Sequence, residues 1–145
     1  FINIRDLAPS GEAYTFMLFL TVWACDTAAY FGGRAFGAHK LNPEVSPKKT
    51  WEGAIAGFLA AVLVSVLARA ILASSSLTVM NAVVLGMLAG VCGQLSDLAE
   101  SIIKRSAGVK DSSNLLPGHG GVLDRFDSYL LLAPVYYYAL VFMSK

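Results

Sequence analysis

Charged side chains are scarce in this sequence, and that scarcity argues against an ordinary soluble domain. Asp, Glu, Lys and Arg make up 14% of the residues, whereas soluble domains carry roughly 25%. Cysteines are few as well. The two present, Cys25 and Cys92, lie in apolar stretches, which disfavours both a disulfide framework and a cysteine-ligated metal. The sequence also has no internal repeat, no low-complexity segment and no signal-peptide pattern.

Long apolar runs are what the sequence has in abundance. Hydrophobic residues make up 56% of the chain, and a helix needs roughly 20 of them in succession to cross a bilayer. Because spans in lipid are helices or closed barrels, we predict an all-α integral membrane protein, a multi-pass helical bundle with about four transmembrane helices. The predicted helices cover residues 13–31, 53–72, 77–107 and 126–143, and the polar loops cover 32–52 and 108–125.

Two glycine pairs bear on how these helices pack. Gly53 and Gly57, and likewise Gly86 and Gly90, follow a small-x-x-x-small pattern. Such a pattern allows two helix backbones to approach closely. In a chain with 13 glycines, an incidental origin is the alternative interpretation.

Lysine and arginine are concentrated in the two polar loops. The other side of the predicted bundle has only Arg5, Arg69 and Lys145. Since cytoplasmic loops carry the excess of positive charge, we predict that both polar loops face the cytoplasm and both termini lie outside. Residues 32–52 contain Arg34, Lys40, Lys48 and Lys49. Residues 101–125, which include the end of the third predicted helix, contain Lys104, Arg105, Lys110 and Arg125.

Residues 101–127 combine basic, acidic and glycine residues between two apolar runs. Such a block next to a membrane is costly unless it handles a charged ligand. Lys and Arg suit phosphate, Asp suits a hard cation such as Mg²⁺, and glycines let backbone N–H groups approach phosphate oxygens. The residues therefore indicate a metal-dependent phosphate site at a membrane face. Those concerned are Lys104, Arg105, Lys110, Asp111, His119, Asp124, Arg125 and Asp127, with Gly118, Gly120 and Gly121 among them.

Acidic residues flank this block on both sides. Asp97, Ser101 and Lys104 are spaced i, i+4, i+7 and so share one helical face. Asp97 is either a metal ligand or an interfacial carboxylate. Asp124 and Asp127 lie at the entry to the last helix, where a carboxylate caps the helix or binds a metal. Asp97 and Asp124 could converge on one cation, because Mg²⁺ usually takes one or two carboxylates plus phosphates and water.

The 32–52 loop is a second candidate site. Asp26 lies late in an apolar helix, and an acid at membrane depth is a functional hypothesis by default. Thr50 precedes the second helix as a cap, where a phosphate could meet the helix N-terminus. Lys48, Lys49 and Thr50 could hold a triphosphate, and the phosphate of a lipid is the alternative ligand for this loop. Trp51 is interpreted as an interfacial anchor rather than a base-stacking residue.

His119 and the basic residues of 101–127 each have two interpretations. His119, in a glycine-rich turn, is either a hydrogen-bond donor to phosphate or a general acid–base group. The alternative is a histidine with only a structural role in the turn. Lys104, Arg105 and Lys110 either neutralise phosphate charge or form the ordinary basic flank of a membrane helix.

The run S-x-x-K-R-x4-K-D-x5-P-G-H-G-G-x-x-D-R-x-D, from Ser101 to Asp127, resembles the pattern of the phosphatidate cytidylyltransferases, also called CDP-diacylglycerol synthases. The stretches DTAAYFGGRAFGAHK and SPKKTWEG are similar to the family as well. The resemblance thus extends from about Asp26 to Asp127. The family's proteins are longer, with further membrane helices before this region, so we expect this sequence to be a C-terminal portion.

The resemblance implies the reaction CTP + phosphatidate → CDP-diacylglycerol + pyrophosphate. It implies Mg²⁺ held by Asp97 and Asp124, with Asp127 as a further ligand or as an orienting group. We expect Mn²⁺ to substitute, and a second cation, divalent or K⁺, to be possible. The expected partners are CTP, phosphatidate, the lipid bilayer and a second copy of the chain in a homodimer, with no nucleic acid. The expected location is the bacterial inner membrane.

Site residues follow from the motifs and the resemblance together. We predict a catalytic set of Asp97, Ser101, Lys104, His119, Asp124 and Asp127. We predict a substrate-binding set of Asp26, Lys48, Lys49, Thr50, Arg105, Lys110, Asp111, Gly120, Gly121 and Arg125.

Two other functions compete with this interpretation. A CTP-dependent lipid kinase of the polyprenol or phytol type has a related but looser acid–Ser–Lys–Arg pattern and would release CDP. An ion transporter could use Asp26 and Asp97 as a pathway, but transporter sites usually lie near the bilayer midplane. Here the acids cluster at one membrane face, which favours the transferase.

Overall fold

Five helices and one β-hairpin make up the part of the chain that the computed structural model describes, residues 1–43, 45–73, 76–109, 112–113 and 121–143. Four of the helices are long and apolar enough to cross a membrane. This confirms the predicted all-α multi-pass architecture. The elements are α1 (Ile2–Arg5), α2 (Gly11–Phe36), β1 (Lys40–Asn42), β2 (Ser46–Thr50), α3 (Trp51–Leu72), α4 (Val79–Ser106) and α5 (Leu123–Met143).

The long helices extend past the apolar runs that predicted them. Helix α2 continues to Phe36 although its apolar run stops near residue 31, and α5 begins at Leu123, ahead of residue 126. Hydropathy detects the part of a helix that matches the bilayer core, not the turns that project beyond it. Helix α4 continues beyond Leu95 as predicted and ends at Ser106, shortly before Gly108, whose φ of 71° is a left-handed conformation that glycine adopts readily.

Glycines bring α2 and α3 into close contact. A Cβ atom at Gly53 would lie 2.6 Å from the carbonyl oxygen of Ala29, and one at Gly57 would lie 2.8 Å from that of Cys25. Both distances are shorter than packed side chains tolerate, so neither position accepts a larger residue without a shift. The structure therefore supports the packing interpretation of the small-x-x-x-small pairs. The same close approach occurs where α4 meets α3, at Gly86 and Gly90.

The helices pack in chain order, α2 on α3, α3 on α4 and α4 on α5. The largest fully buried side chains of the apolar core come from α1, α2, α4 and α5, among them Ile4, Met17, Leu85, Leu132 and Tyr136. On α3, large apolar side chains are exposed along one face, which suits a face in contact with lipid. These side chains are Ile55, Leu59, Leu63, Leu67 and Ile71.

Candidate functional site

The β-hairpin, an element that the sequence did not predict, is fixed to the start of α3. Thr50 ends β2 and caps α3, because its Oγ1 accepts the Gly53 N–H at 3.2 Å. The carbonyl of His39 accepts the Trp51 N–H at 3.0 Å. The Nδ1 atom of His39 lies 2.7 Å from the Glu52 carboxylate. These contacts hold the hairpin and its basic residues at the N-terminal end of α3.

A cavity of about 530 Å³ lies between the hairpin, α2, α3 and α4, and we call it the hairpin cavity. Basic side chains from the hairpin and from the end of α2 line it together with carboxylates. Two of the lining residues, Lys49 and Asp97, form an ion pair with 2.6 Å between Nζ and Oδ2. Both side chains are only partly buried, so a ligand could take the place of either partner. The polar lining residues are Asp26, Tyr30, Arg34, Lys40, Lys48, Lys49, Thr50, Gln94 and Asp97.

Three acids from three helices come together beside this cavity. Asp26 of α2, Asp97 of α4 and Asp127 of α5 lie close enough to repel one another electrostatically, and we call them the carboxylate cluster. Lys49 offsets part of the charge on Asp26, and Lys104 offsets part of that on Asp127. Negative charge concentrated in this way at a membrane boundary favours binding of a cation.

One or two carboxylates of this cluster could bind a hard cation whose other ligands are phosphate oxygens and water. Among the residues for which the structure gives positions, no three or more His, Cys, Asp or Glu side chains are grouped so that they could hold a metal ion. Mg²⁺ usually takes only one or two carboxylates and completes its shell with phosphate oxygens and water. Aspartates beside a phosphate-sized basic cavity fit that mode of binding.

Asp124 belongs to a different set of contacts. Lys104 Nζ lies 2.5 Å from Glu100 Oε2 and 2.7 Å from Asp124 Oδ1. Asp124 Oδ2 accepts the backbone N–H groups of Ser112 and Gly121 at 2.9 and 2.7 Å, and the Ser112 hydroxyl at 2.8 Å. Asp124 therefore joins Lys104 on α4 to the two ends of the loop that precedes α5.

The predicted acids are thus divided between two groups. Asp97 is placed with Asp26, Asp127 and Lys49, and Asp124 is placed with Lys104. The convergence of Asp97 and Asp124 on one cation stays a prediction. It would require Asp124 to exchange one of its present donors for the metal.

The remaining predicted residues have varied surroundings. Ser101 is half-buried on α4, and Arg125 is exposed on the first turn of α5. Arg105 is exposed and donates to the carbonyls of Val45 and Val109 at 3.4 and 3.2 Å, so it connects the end of α4 to the hairpin. Four predicted residues lie outside the described part of the chain: Lys110, Asp111, His119 and Gly120.

Several residues of the site were not in the predicted sets, among them Tyr30, Arg34 and Lys40 of the hairpin cavity. Glu100 is 3% exposed and pairs with Lys104. Their i, i+4 spacing is a sequence signal for such a pair. Gln94 lines the hairpin cavity and donates to the carbonyls of Ala54 and Gly90 at 3.1 and 2.8 Å. No sequence pattern marks Gln94, because its role depends on which faces of α3 and α4 meet.

Comparisons with known proteins identify the family of the chain. The sequence profile of the cytidylyltransferase family matches residues 1–143. The chain is 42% identical over 144 residues to a phosphatidate cytidylyltransferase of Bacillus subtilis, covering 99% of this chain and 53% of that protein. It is 46% identical over 134 residues to one of Brucella suis, covering 92% and 49%. It is 44% identical over 135 residues to one of Synechocystis, covering 93% and 45%. The chain thus spans about half the length of the curated relatives it matches.

Proposed function

We propose that this chain, which belongs to the cytidylyltransferase family, transfers the cytidylyl group of CTP to phosphatidate and so forms CDP-diacylglycerol and pyrophosphate. The observation that carries the proposal is the hairpin cavity, where basic residues of the hairpin and of α2 face the carboxylates of α2 and α4. Relatives that are 42% and 46% identical are phosphatidate cytidylyltransferases, and this supports the choice of substrates.

In the proposed reaction, a phosphate oxygen of phosphatidate attacks the α-phosphorus of CTP. The new P–O bond forms as the bond from the α-phosphorus to the bridging oxygen of the β-phosphate breaks, and pyrophosphate leaves. Phosphatidate is already ionised, so no strong general base is needed. The work of the protein is positioning and charge stabilisation.

The proposal assigns a role to the basic residues of the hairpin cavity and to Lys104 of α4. Lys48 and Lys49 bind the triphosphate, and the start of α3 beside Thr50 contributes the positive end of its helix dipole. Lys104, held between Glu100 and Asp124, neutralises charge on the phosphate of the lipid or of the nucleotide. A triphosphate bound there would compete with Asp97 for Lys49, which would release a carboxylate for a cation.

The proposal includes dependence on Mg²⁺, for which Mn²⁺ substitutes. When bound, the ion supplies neutralisation of the phosphate charge that accumulates as pyrophosphate leaves. Asp97 would hold it with a second member of the carboxylate cluster, or with Asp124 once Asp124 has left Lys104. A second cation, divalent or K⁺, would bind to those of these acids that the first cation leaves free.

The lipid substrate explains why the site lies at the end of the membrane helices. The acyl chains of phosphatidate stay in the bilayer while its phosphate reaches the hairpin cavity. We propose that this end of the bundle faces the cytoplasm, where CTP is available, in the inner membrane of a bacterium. We further propose that the protein functions as a homodimer, which the mass of the protein–detergent complex would test.

Transfer of label from CTP tests the proposed reaction. With CTP labelled at the α-phosphorus, phosphatidate and Mg²⁺, the complete protein in detergent–lipid micelles is expected to move the label into lipid, release pyrophosphate and stop when a chelator is added. Label that stays in water-soluble CDP while a lipid alcohol becomes phosphorylated would indicate a kinase instead. CTP that remains unchanged under every condition would contradict an enzymatic role.

Accessibility of single cysteines tests the proposed orientation. In a variant without Cys25 and Cys92, a cysteine replacing exposed Ala38 beside the hairpin is expected to react with a membrane-impermeant maleimide only after the cells are opened. A cysteine replacing exposed Asp6, near the other end of α2, is expected to react in cells with a permeable outer envelope and an intact inner membrane. The reverse pattern would contradict the positive-inside assignment.

A further inference from the structure

A buried hydroxyl of α4 bonds to the backbone of α5 beside the carboxylate cluster. Ser96 is 2% exposed. Its Oγ donates to the carbonyl oxygen of Asp127 and accepts the N–H of Leu131 at 3.1 Å. These two backbone groups are four residues apart, which makes them the acceptor and donor that a regular α-helix joins directly. Ser96 therefore bridges one step of the hydrogen-bond ladder of α5.

The location of this bridge matters for the proposed chemistry. On α5, the carbonyl that accepts from Ser96 belongs to Asp127 itself. On α4, Ser96 is followed directly by Asp97. A single side chain thus connects the backbone segments that carry two of the three clustered acids. The two helices are within van der Waals reach one turn earlier, where a Cβ atom at Gly93 would lie 3.8 Å from the Ser128 carbonyl oxygen.

We propose that Ser96 is a positioning residue that sets the separation of the Asp97 and Asp127 carboxylates by bonding α4 to the backbone of α5 at Asp127. The inference rests on the proposed function. Without the hydroxyl, α4 and α5 lose these two interhelical hydrogen bonds, so the Asp127 carboxylate moves relative to Asp97. The Asp127 carbonyl and the Leu131 N–H are an i, i+4 pair of an α-helix and can partner each other, so the fold is preserved.

A double-mutant cycle on the complete protein tests this role. Ser96→Ala is expected to lower kcat/KM for labelled-CTP transfer about tenfold and to raise the Mg²⁺ concentration for half-maximal rate. In a protein that already carries Asp127→Asn, the same change is expected to cost less than about twofold, because Ser96 acts through Asp127. The matched control is Ser65→Ala, which removes another buried hydroxyl, bonded at 2.7 Å to the Ala82 carbonyl of α4. This control is expected to leave the Mg²⁺ dependence unchanged.

The outcomes separate this inference from the function on which it rests. Equal losses from Ser96→Ala with and without Asp127→Asn would mean a structural role only and would overturn the proposal. So would a Mg²⁺ dependence that does not change. If Ser96→Ala does not fold, Ser96→Cys replaces the hydroxyl with a thiol, a weak hydrogen-bonding group that still fills the site, and is carried through the same cycle. Absence of transfer by the unmodified protein would instead overturn the proposed function, and this assignment with it.

Discussion

Asp97→Asn is expected to lower cytidylyl transfer by about 100-fold or more while the protein still inserts and folds. A loss of that size corresponds to about 2.7 kcal/mol of transition-state stabilisation. Asparagine keeps the shape of the side chain but removes the charge that pairs with Lys49 and contributes to the carboxylate cluster. A neutral amide is a weak ligand for Mg²⁺ and does not neutralise it, so the variant loses the cation together with its positioning of phosphate.

Initial rates at several Mg²⁺ concentrations, together with thermal unfolding, would check this expectation. Glu12→Gln, the same type of change in the first turn of α2, is the matched control and is expected to leave transfer intact. Near-normal transfer by Asp97→Asn would remove Asp97 from the metal site. Lys49→Met gives a useful comparison, because loss of a triphosphate-binding cation is expected to raise KM for CTP more than it lowers kcat.

Asp124→Asn is also expected to lower transfer by about 100-fold or more. The contacts of Asp124 give the physical reason. Asp124 holds Lys104 at 2.7 Å and accepts the N–H groups of Ser112 and Gly121. A neutral amide lacks the charge that pairs with Lys104 and presents one acceptor oxygen in place of two. Both the loop before α5 and the Lys104 ammonium group then lose their common anchor.

Comparison with Lys104→Ala shows which role of Asp124 dominates. Lys104→Ala is expected to lower kcat/KM about tenfold or more, on the order of 1.4 kcal/mol. If Asp124 acts only by holding Lys104, adding Lys104→Ala to Asp124→Asn costs little more. If Asp124 is also a metal ligand, Asp124→Asn raises the Mg²⁺ requirement and Lys104→Ala does not. An Asp124→Asn variant with near-normal transfer would contradict both roles, and a Lys104→Ala variant with unchanged kcat/KM would return Lys104 to the basic flank of its helix.

Glu100→Gln provides a graded test of the same contacts. Glu100 is almost completely buried and bonds to Lys104 from within α4, so its replacement leaves the lysine with Asp124 as its remaining ion-pair partner among the described residues. We expect a smaller loss than for Asp124→Asn, because the loop before α5 keeps its anchor. Equal losses of transfer in Glu100→Gln and Asp124→Asn would mean that both acids act only through Lys104.

The sequence by itself determined the fold class of the protein and the family to which it belongs. Apolar runs of membrane length are a local property, so hydropathy alone located all four spanning helices. The run from Ser101 to Asp127 is local as well, and it pointed to the family whose profile matches residues 1–143. The small-x-x-x-small pairs marked where helices approach closely, because a missing side chain has the same steric consequence in any fold.

The tertiary structure alone decided which groups act together. Asp97 meets Lys49 from a hairpin far away in the sequence, and Asp124 meets Lys104 rather than Asp97. Ser96, unremarkable in sequence, reaches the backbone of α5. Such pairings depend on the rotation and depth of each helix against its neighbours, which packing of the whole bundle sets. Hydropathy records only that a segment spans, so the sequence contained the acids and bases of the site but not their partners.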